Sequence, residues 1–417
     1  MDSLRQRPLR VLAADDSAVM RRVLKTIFDL HADGIGTGLP AMELCGCVRD
    51  GMECLEAAAR LRPDVLLLDL EMPRLNGIEV LQRLREQGSA LPVIMCSAYT
   101  EVGARSTLEA LHHGAKDYVM KPGQQCDFAS ALDLLMGQLM PKIAALALPV
   151  AASGGSLELV GKRPALPSVL TMPARPVLRP VAASAVMPVR VEVVVIGVST
   201  GGPSALEQML PGLAKDFPVP VLVVQHMPKL FTGALAERLQ RRCAMRVKEG
   251  VHGEQLEPGT IWIAPGDAHM EVGLGASADR RRSRAAAITL HYSGPLNHCR
   301  PSVDYLFGSA AKLYGAGTLA LMMTGMGSDG LEGALAIHRA GGVVLAQDQA
   351  SSAVWGMPGQ VARAGIAAAT LPLGELAGEL MRRVYVGRRG AMREPALNAV
   401  GETAPQAMRR EASYGVY

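Results

Sequence analysis

Four short stretches of the first third of the chain end apolar runs in residues that can do chemistry. Asp15-Asp16 follows a run at 10-14, Asp69 follows Val65-Leu66-Leu67-Leu68, Ser97 follows a run at 92-96, and Lys121-Pro122 follows one at 117-120. In an open parallel sheet, ligands sit at the carboxyl ends of the strands, so these residues are expected in one crevice. Three carboxylates brought together repel one another unless a cation lies among them, and hard oxygen donors suit Mg²⁺. Asp15, Asp16 and Asp69 are therefore the candidate metal ligands. Asp69 then becomes a nucleophile toward phosphorus, while Lys121 neutralises a phosphate oxygen and the Ser97 hydroxyl donates to another. Any one acidic pair alone also reads as a turn or helix cap; the joint placement points to phosphoryl chemistry.

A second constellation lies in the other half. Val193-Val194-Val195-Ile196 leads into Gly197-Val198-Ser199-Thr200-Gly201-Gly202-Pro203, a serine on a tight strand-to-helix turn with helix N-terminal amides beside it. By itself this turn is equally a phosphate cradle or a structural turn. A later apolar run delivers Gln225-His226-Met227-Pro228, with the histidine where a serine's base is needed. Another ends in Gly325-Met326-Gly327-Ser328-Asp329-Gly330, whose aspartate can orient an imidazole. His269 is the second candidate base and Asp304 the competing acid. The order Ser, His, Asp differs from that of α/β-hydrolases, so the Gly-x-Ser-x-Gly text does not assign that fold.

These residues need elements to hold them. Apolar runs near 10-14, 44-48, 65-69, 92-96 and 117-120 alternate with helical periods, giving five βα units of a parallel sheet. Residues 149-190 are rich in proline and alanine with one acid, Glu158, a composition that builds no core and reads as a linker. Strand-like runs resume at 192-197, 219-225, 260-264, 318-324 and 342-346, with helical stretches at 203-214 and 329-340, a second α/β domain. The segment 271-290 reads as a hairpin whose tip carries Asp279 to Arg284, and the polar tail after Gly387 as disordered. The 417 residues suit about two to three domains. A formal charge of +4 gives no global argument for nucleic acid or an anionic membrane. No apolar run is long enough for a membrane span, and the polar, basic start suggests a cytoplasmic protein. Seven scattered cysteines read as reduced thiols.

Through Asp15-Asp16-Ser17, Asp69 to Gly77, Ser97-Ala98 and Lys121-Pro122, residues 8-140 resemble the receiver domain of two-component response regulators. The stretch 31-43 is longer and richer in glycine than that pattern. Through Gly197 to Gly202, Gln225-His226-Met227-Pro228, Ala264-Pro265-Gly266-Asp267, Arg300-Pro301-Ser302-Val303-Asp304, Thr324 to Gly330 and Gly356-Met357-Pro358, residues 190-385 resemble the catalytic domain of the chemotaxis protein-glutamate methylesterase family CheB. The resemblance implies an α/β chain: a (βα)5 receiver in 1-140, a linker in 141-190, a doubly wound methylesterase domain in 191-386 and a tail in 387-417. It implies a serine hydrolase with Ser199 as nucleophile, His226 as base, Asp329 as its partner and the backbone at Thr200 and Met326 near the oxyanion. It also implies phosphorylation of Asp69 by a histidine kinase of the CheA type with Mg²⁺, and no cofactor for the esterase step. The implied substrates are methylated chemoreceptors and their glutamines, with no nucleic acid and no membrane insertion. One departure is Cys299 in Asn297-His298-Cys299-Arg300, where the family pattern is expected to carry histidine. The rival readings are a nucleic-acid-binding regulator, a dinucleotide-dependent enzyme and a non-enzymatic scaffold.

Overall fold

The computed structural model describes residues 7–31, 38–123, 126–147, 189–275, 285–386 and 388. The basic run Asp279 to Arg284, residues 148–188 of the linker, the tail apart from Arg388, and residues 32–37 of the glycine-rich stretch lie outside the described residues.

The first half alternates β1 Leu9–Ala14, α1 Ala18–His31, β2 Met42–Val48, α2 Gly51–Leu61, β3 Val65–Asp69, α3 Gly77–Glu86, β4 Val93–Ser97, α4 Glu101–His112, β5 Asp117–Met120 and α5 Phe128–Ala147. Its sheet is parallel in the order β2-β1-β3-β4-β5. Every residue of β3 is buried, because both faces of the sheet carry helices. Leu66 and Leu68 pack with Leu81 and Leu108 on one face, and Val65 and Leu67 with Ile27 and Leu139 on the other. The last helix runs to Ala147 and buries Ile143 and Ala144, so residues 141–147, expected in the linker, belong to this half.

The second half contains β6 Val193–Val198, α6 Gly202–Met209, β7 Val221–Gln225, α7 Lys229–Gln240, β8 Arg246–Glu249, β9 Thr260–Ile263, β10 His269–Leu274 and β11 Ala286–His291. It continues with α8 Val303–Tyr314, β12 Thr318–Met322, α9 Leu331–Arg339, β13 Val343–Gln347, α10 Met357–Arg363, β14 Ala369–Leu371 and α11 Leu373–Tyr385. Seven strands form a parallel sheet in the order β14-β13-β12-β6-β7-β9-β8, and β10 pairs antiparallel with β11. Successive residues of β6 serve two cores: Val194 and Ile196 meet Leu206, Leu235 and Leu380, while Val193 and Val195 meet Phe307 and Ile337. The chain leaves β6 toward β7 on one side and returns as β12 on the other, which opens a crevice at the carboxyl ends of these three strands.

The two halves share a seam in which α4 packs on α6 and α7. The Tyr118 ring stacks on Phe231 at 4.7 Å with an interplanar angle of 6°. Buried Glu207 takes Arg242 Nη1 at 2.8 Å and His112 Nδ1 of α4 at 3.0 Å, and also pairs with Arg238. Ser204 Oγ donates to the Leu111 carbonyl at 3.0 Å.

Candidate active site

Register alone brings the serine and histidine together. Val198 of β6 is paired with Gln225 of β7, so Ser199 and His226, the next residues, leave adjacent strand ends side by side. Gly201, with φ of 77°, turns the chain out of β6 into α6, and a side chain at such a φ is strained. A Cβ on Gly325 would lie 2.8 Å from Ser199 Cβ, so only glycine lets the loop after β12 close against the serine. The Ser199 N–H donates to the Thr324 carbonyl at 2.9 Å, and Thr324 Oγ1 donates to the Thr200 carbonyl at 2.9 Å. Ser199, Thr200, His226, Cys299 and Met326 line one cavity of about 600 Å³, which Tyr118 and Lys142 of the first half close from the other side.

Asp329 sits at the far end of the same crevice. Its Oδ2 accepts His226 Nε2–H at 2.7 Å and the Val303 N–H at 2.6 Å. Its Oδ1 accepts Ser302 Oγ–H at 2.7 Å and Asn297 Nδ2–H at 3.0 Å. Burial opposes ionisation of Asp329, but hydrogen bonds from His226, Ser302 and Asn297 hold its carboxyl below the ordinary carboxylate range. Burial likewise opposes charge on His226, yet the bonds to Asp329 and then Cys299 raise its imidazolium from 6.5 to about 9. With Nε2 committed to Asp329, Nδ1 is the nitrogen left to serve a nucleophile. In this structure Cys299 Sγ meets it at 3.5 Å, and Ser199 Oγ makes no hydrogen bond among the described residues. The N–H groups of Thr200 and Met326 are also without protein acceptors among those residues.

The other two candidates fall elsewhere. His269 is buried behind the acid: Nε2 meets the Gly294 carbonyl at 3.1 Å and Nδ1 accepts the Ser302 N–H at 3.2 Å, so neither nitrogen is left for Ser199. Asp304 lies in the first turn of α8 and accepts the Gly333 N–H at 2.7 Å. Three positioning residues were not singled out by the sequence: Asn297 and Ser302, which orient Asp329, and Gln225, whose Nε2 donates to the Ser199 and His226 carbonyls at 3.0 and 3.3 Å. A buried glutamine ending an otherwise apolar strand was the available signal for Gln225.

In the first half, Asp15, Asp16 and Asp69 offer oxygen atoms within 4.8 Å of one another, a donor set that fits a hard divalent cation. Lys121 Nζ lies 2.9 Å from Asp15 Oδ2 and 2.7 Å from Asp69 Oδ2. Burial and then the Asp15 charge push the Asp69 carboxyl up to about 6, against the pull of Lys121. The hydrogen bonds of Ser97 run to the α4 side: its Oγ accepts from Thr107 Oγ1 at 2.6 Å, and its one hydroxyl proton is shared between the carbonyls of Ala98 at 3.2 Å and Gly103 at 3.4 Å.

A family model described as CheB methylesterase matches residues 194–380, and one described as Response regulator receiver domain matches residues 11–133. A protein-glutamate methylesterase/protein-glutamine glutaminase of Trichodesmium erythraeum is 39% identical over 90% of the chain and 99% of its own length. Its namesake in a Nocardioides strain is 43% identical over 90% of the chain and 95% of its own length. The crystal structure of the Thermotoga maritima CheB methylesterase catalytic domain is 40% identical, with a TM-score of 0.44, over 46% of the chain and 99% of that domain.

Proposed function

The chain belongs to the CheB family of protein-glutamate methylesterase/protein-glutamine glutaminases, and from that premise we propose that it is a phosphorylation-regulated serine hydrolase of chemotaxis-type signalling. It removes methyl groups from glutamate methyl esters of chemoreceptors as methanol, and the same chemistry deamidates receptor glutamines. Residues 1-147 form the receiver, 191-386 the hydrolase, the segment between them the linker and 387-417 the tail. The enzyme works in the cytoplasm. Among the described residues, no helix is long and apolar enough to cross a membrane.

The observation that carries the reading is the 2.7 Å bond between His226 and Asp329 in the crevice where Ser199 ends the neighbouring strand. Ser199 Oγ attacks the ester carbonyl while its proton passes to His226 Nδ1, and Asp329 steadies the imidazolium through Nε2. The N–H groups of Thr200 and Met326 receive the oxyanion. Methoxide leaves with the proton from Nδ1, and water repeats the sequence on the acyl-serine. General base help contributes about 10²- to 10⁴-fold and one oxyanion donor about 10²- to 10³-fold.

Asp69 accepts phosphate from a histidine kinase of the CheA type. Asp15, Asp16 and Asp69 would hold Mg²⁺, which supplies charge neutralisation for the phosphoryl oxygens. A phosphoryl oxygen on Asp69 competes for Lys121 and for the Ser97 hydroxyl. Drawing Ser97 away from Thr107 and Gly103 loosens α4, the receiver helix packed on α6 and α7, and this shifts the seam toward an open arrangement. The test is methanol release from methylated receptor membranes by the full chain. Acetyl phosphate with Mg²⁺ should raise the rate, and chelation by EDTA or Asp69→Asn should remove the rise. A rise that survives both would contradict the phosphorylation step.

A further inference from the structure

One nucleophilic side chain beside His226, lining the same cavity, has no part in the ester chemistry. Cys299 Sγ is the partner of His226 Nδ1 at 3.5 Å, and His226 Nε2 is in turn held by Asp329 at 2.7 Å. A thiol, an imidazole and an orienting carboxylate in this order form the arrangement that activates cysteine nucleophiles. The sulfur is presented by a tight loop rather than a loose one. Leu296 and Cys299 exchange reciprocal backbone hydrogen bonds of 3.1 and 2.9 Å, and Asn297 ties the loop to Asp304 at 2.8 Å and to Asp329 at 3.0 Å. Cys299 is half-buried and lines the 600 Å³ cavity, so a small solute can reach it. Cys54 and Cys96, by contrast, are buried, and burial pushes both thiols up.

We propose that Cys299 is an oxidation site for small hydroperoxides, and that its oxidation stops ester hydrolysis by occupying the nitrogen that Ser199 needs. The Sγ–H proton moves to His226 Nδ1, giving a thiolate beside an imidazolium steadied by Asp329. The sulfur attacks one peroxide oxygen, an S–O bond forms and the O–O bond breaks. The departing hydroxide, or alkoxide from an alkyl hydroperoxide, takes the proton from Nδ1 and leaves as water or the alcohol. Sulfur is oxidised to sulfenic acid, and the peroxide is reduced. The new hydroxyl lies against Nδ1 and holds the imidazole away from Ser199. A thiol reductant reverses the change, and the site then serves again. The contacts that raise His226 to about 9 strengthen its hold on the proton that Nδ1 takes from the sulfur. The consequence for hydrolysis rests on the esterase reading; the reactivity of the sulfur does not.

The experiment treats the full chain with hydrogen peroxide at neutral pH, traps sulfenic acid with dimedone and maps it by mass spectrometry. Cys299 should be trapped before the exposed Cys47 and Cys126, methanol release should fall at least tenfold in step, and dithiothreitol should restore untrapped enzyme. Trapping at Cys47 or Cys126 with Cys299 untouched would overturn the proposal, as would full oxidation of Cys299 with the rate unchanged. A parallel measurement needs no esterase activity: alkylation of Cys299 by iodoacetamide should slow about tenfold or more in His226→Gln, because no imidazole then stands beside Sγ to take its proton. Equal rates would overturn the thiol–imidazole pair. Silent Cys54 and Cys96 in that variant report that it is folded. If the wild-type chain releases no methanol at all, the esterase reading and the inhibition fall together, while the trapping order still decides whether Cys299 is the oxidation site.

Discussion

At the residue scale the site turns on which nitrogen of His226 faces which neighbour. Nε2 is fixed by Asp329, and the carboxylate is itself fixed by Ser302, Asn297 and the Val303 N–H. The pKa of His226 is raised from 6.5 to about 9 on folding, so its contribution to stability is complete below about 6.5 and is lost as pH rises through about 9. A base must be neutral, so methanol release by the unphosphorylated chain should climb with pH on a limb near 9, and Cys299→Ser should move that limb lower. A limb at 6.5 in both proteins would contradict the assignment of these partners. Ser302→Ala should lower kcat by about one to two orders of magnitude with little change in KM, because it loosens the acid and touches no substrate; an effect confined to KM would contradict that role. The meeting of Ser199, His226 and Asp329 in one crevice was legible in the sequence because the first two directly follow apolar runs and Asp329 stands in the glycine-rich loop after a third. Asn297, Ser302 and the contact of Cys299 were not, since they come from an irregular loop whose course follows from tertiary packing rather than from any period.

At the element scale, the ten strands anticipated from apolar runs are present, with ends displaced by a residue or two. The sheet also contains β8 and β14 at its two edges, which the sequence reading missed: Arg246–Glu249 is largely charged and Ala369–Leu371 is very short, so neither produces a buried apolar run. The helix expected over 203-214 stops at Met209 and tightens into a 3-10 turn at Leu210–Gly212, where Pro211 cannot donate to the helical ladder. The seam has its own energetics. Stacked rings such as Tyr118 on Phe231 contribute about 0.5–1.5 kcal/mol beyond the area they bury. Tyr118→Ala should therefore favour the open arrangement and raise methanol release by the unphosphorylated chain about two- to twelvefold, with a smaller gain once acetyl phosphate is added. An unchanged basal rate would mean that this contact does not hold the cleft closed.

At the scale of the whole molecule, the receiver reaches the hydrolase site through a few named contacts. Asp117, the first residue of β5, accepts Thr200 Oγ1–H at 2.8 Å and pairs with Lys142 at 3.0 Å, so the residue after Ser199 is tied to the receiver half. The two-domain order was legible from the change in composition after residue 149, whereas this contact joins positions far apart in sequence and leaves no local pattern. Everything proposed for regulation presupposes that the crevice hydrolyses esters through Ser199. The measurement that tests this most directly compares wild type with Ser199→Ala in methanol release from methylated receptor membranes, with phosphate incorporation at Asp69 followed in the same samples. Release should fall at least ~10³-fold while phosphorylation of Asp69 continues; release at the wild-type rate from the alanine variant would contradict the account.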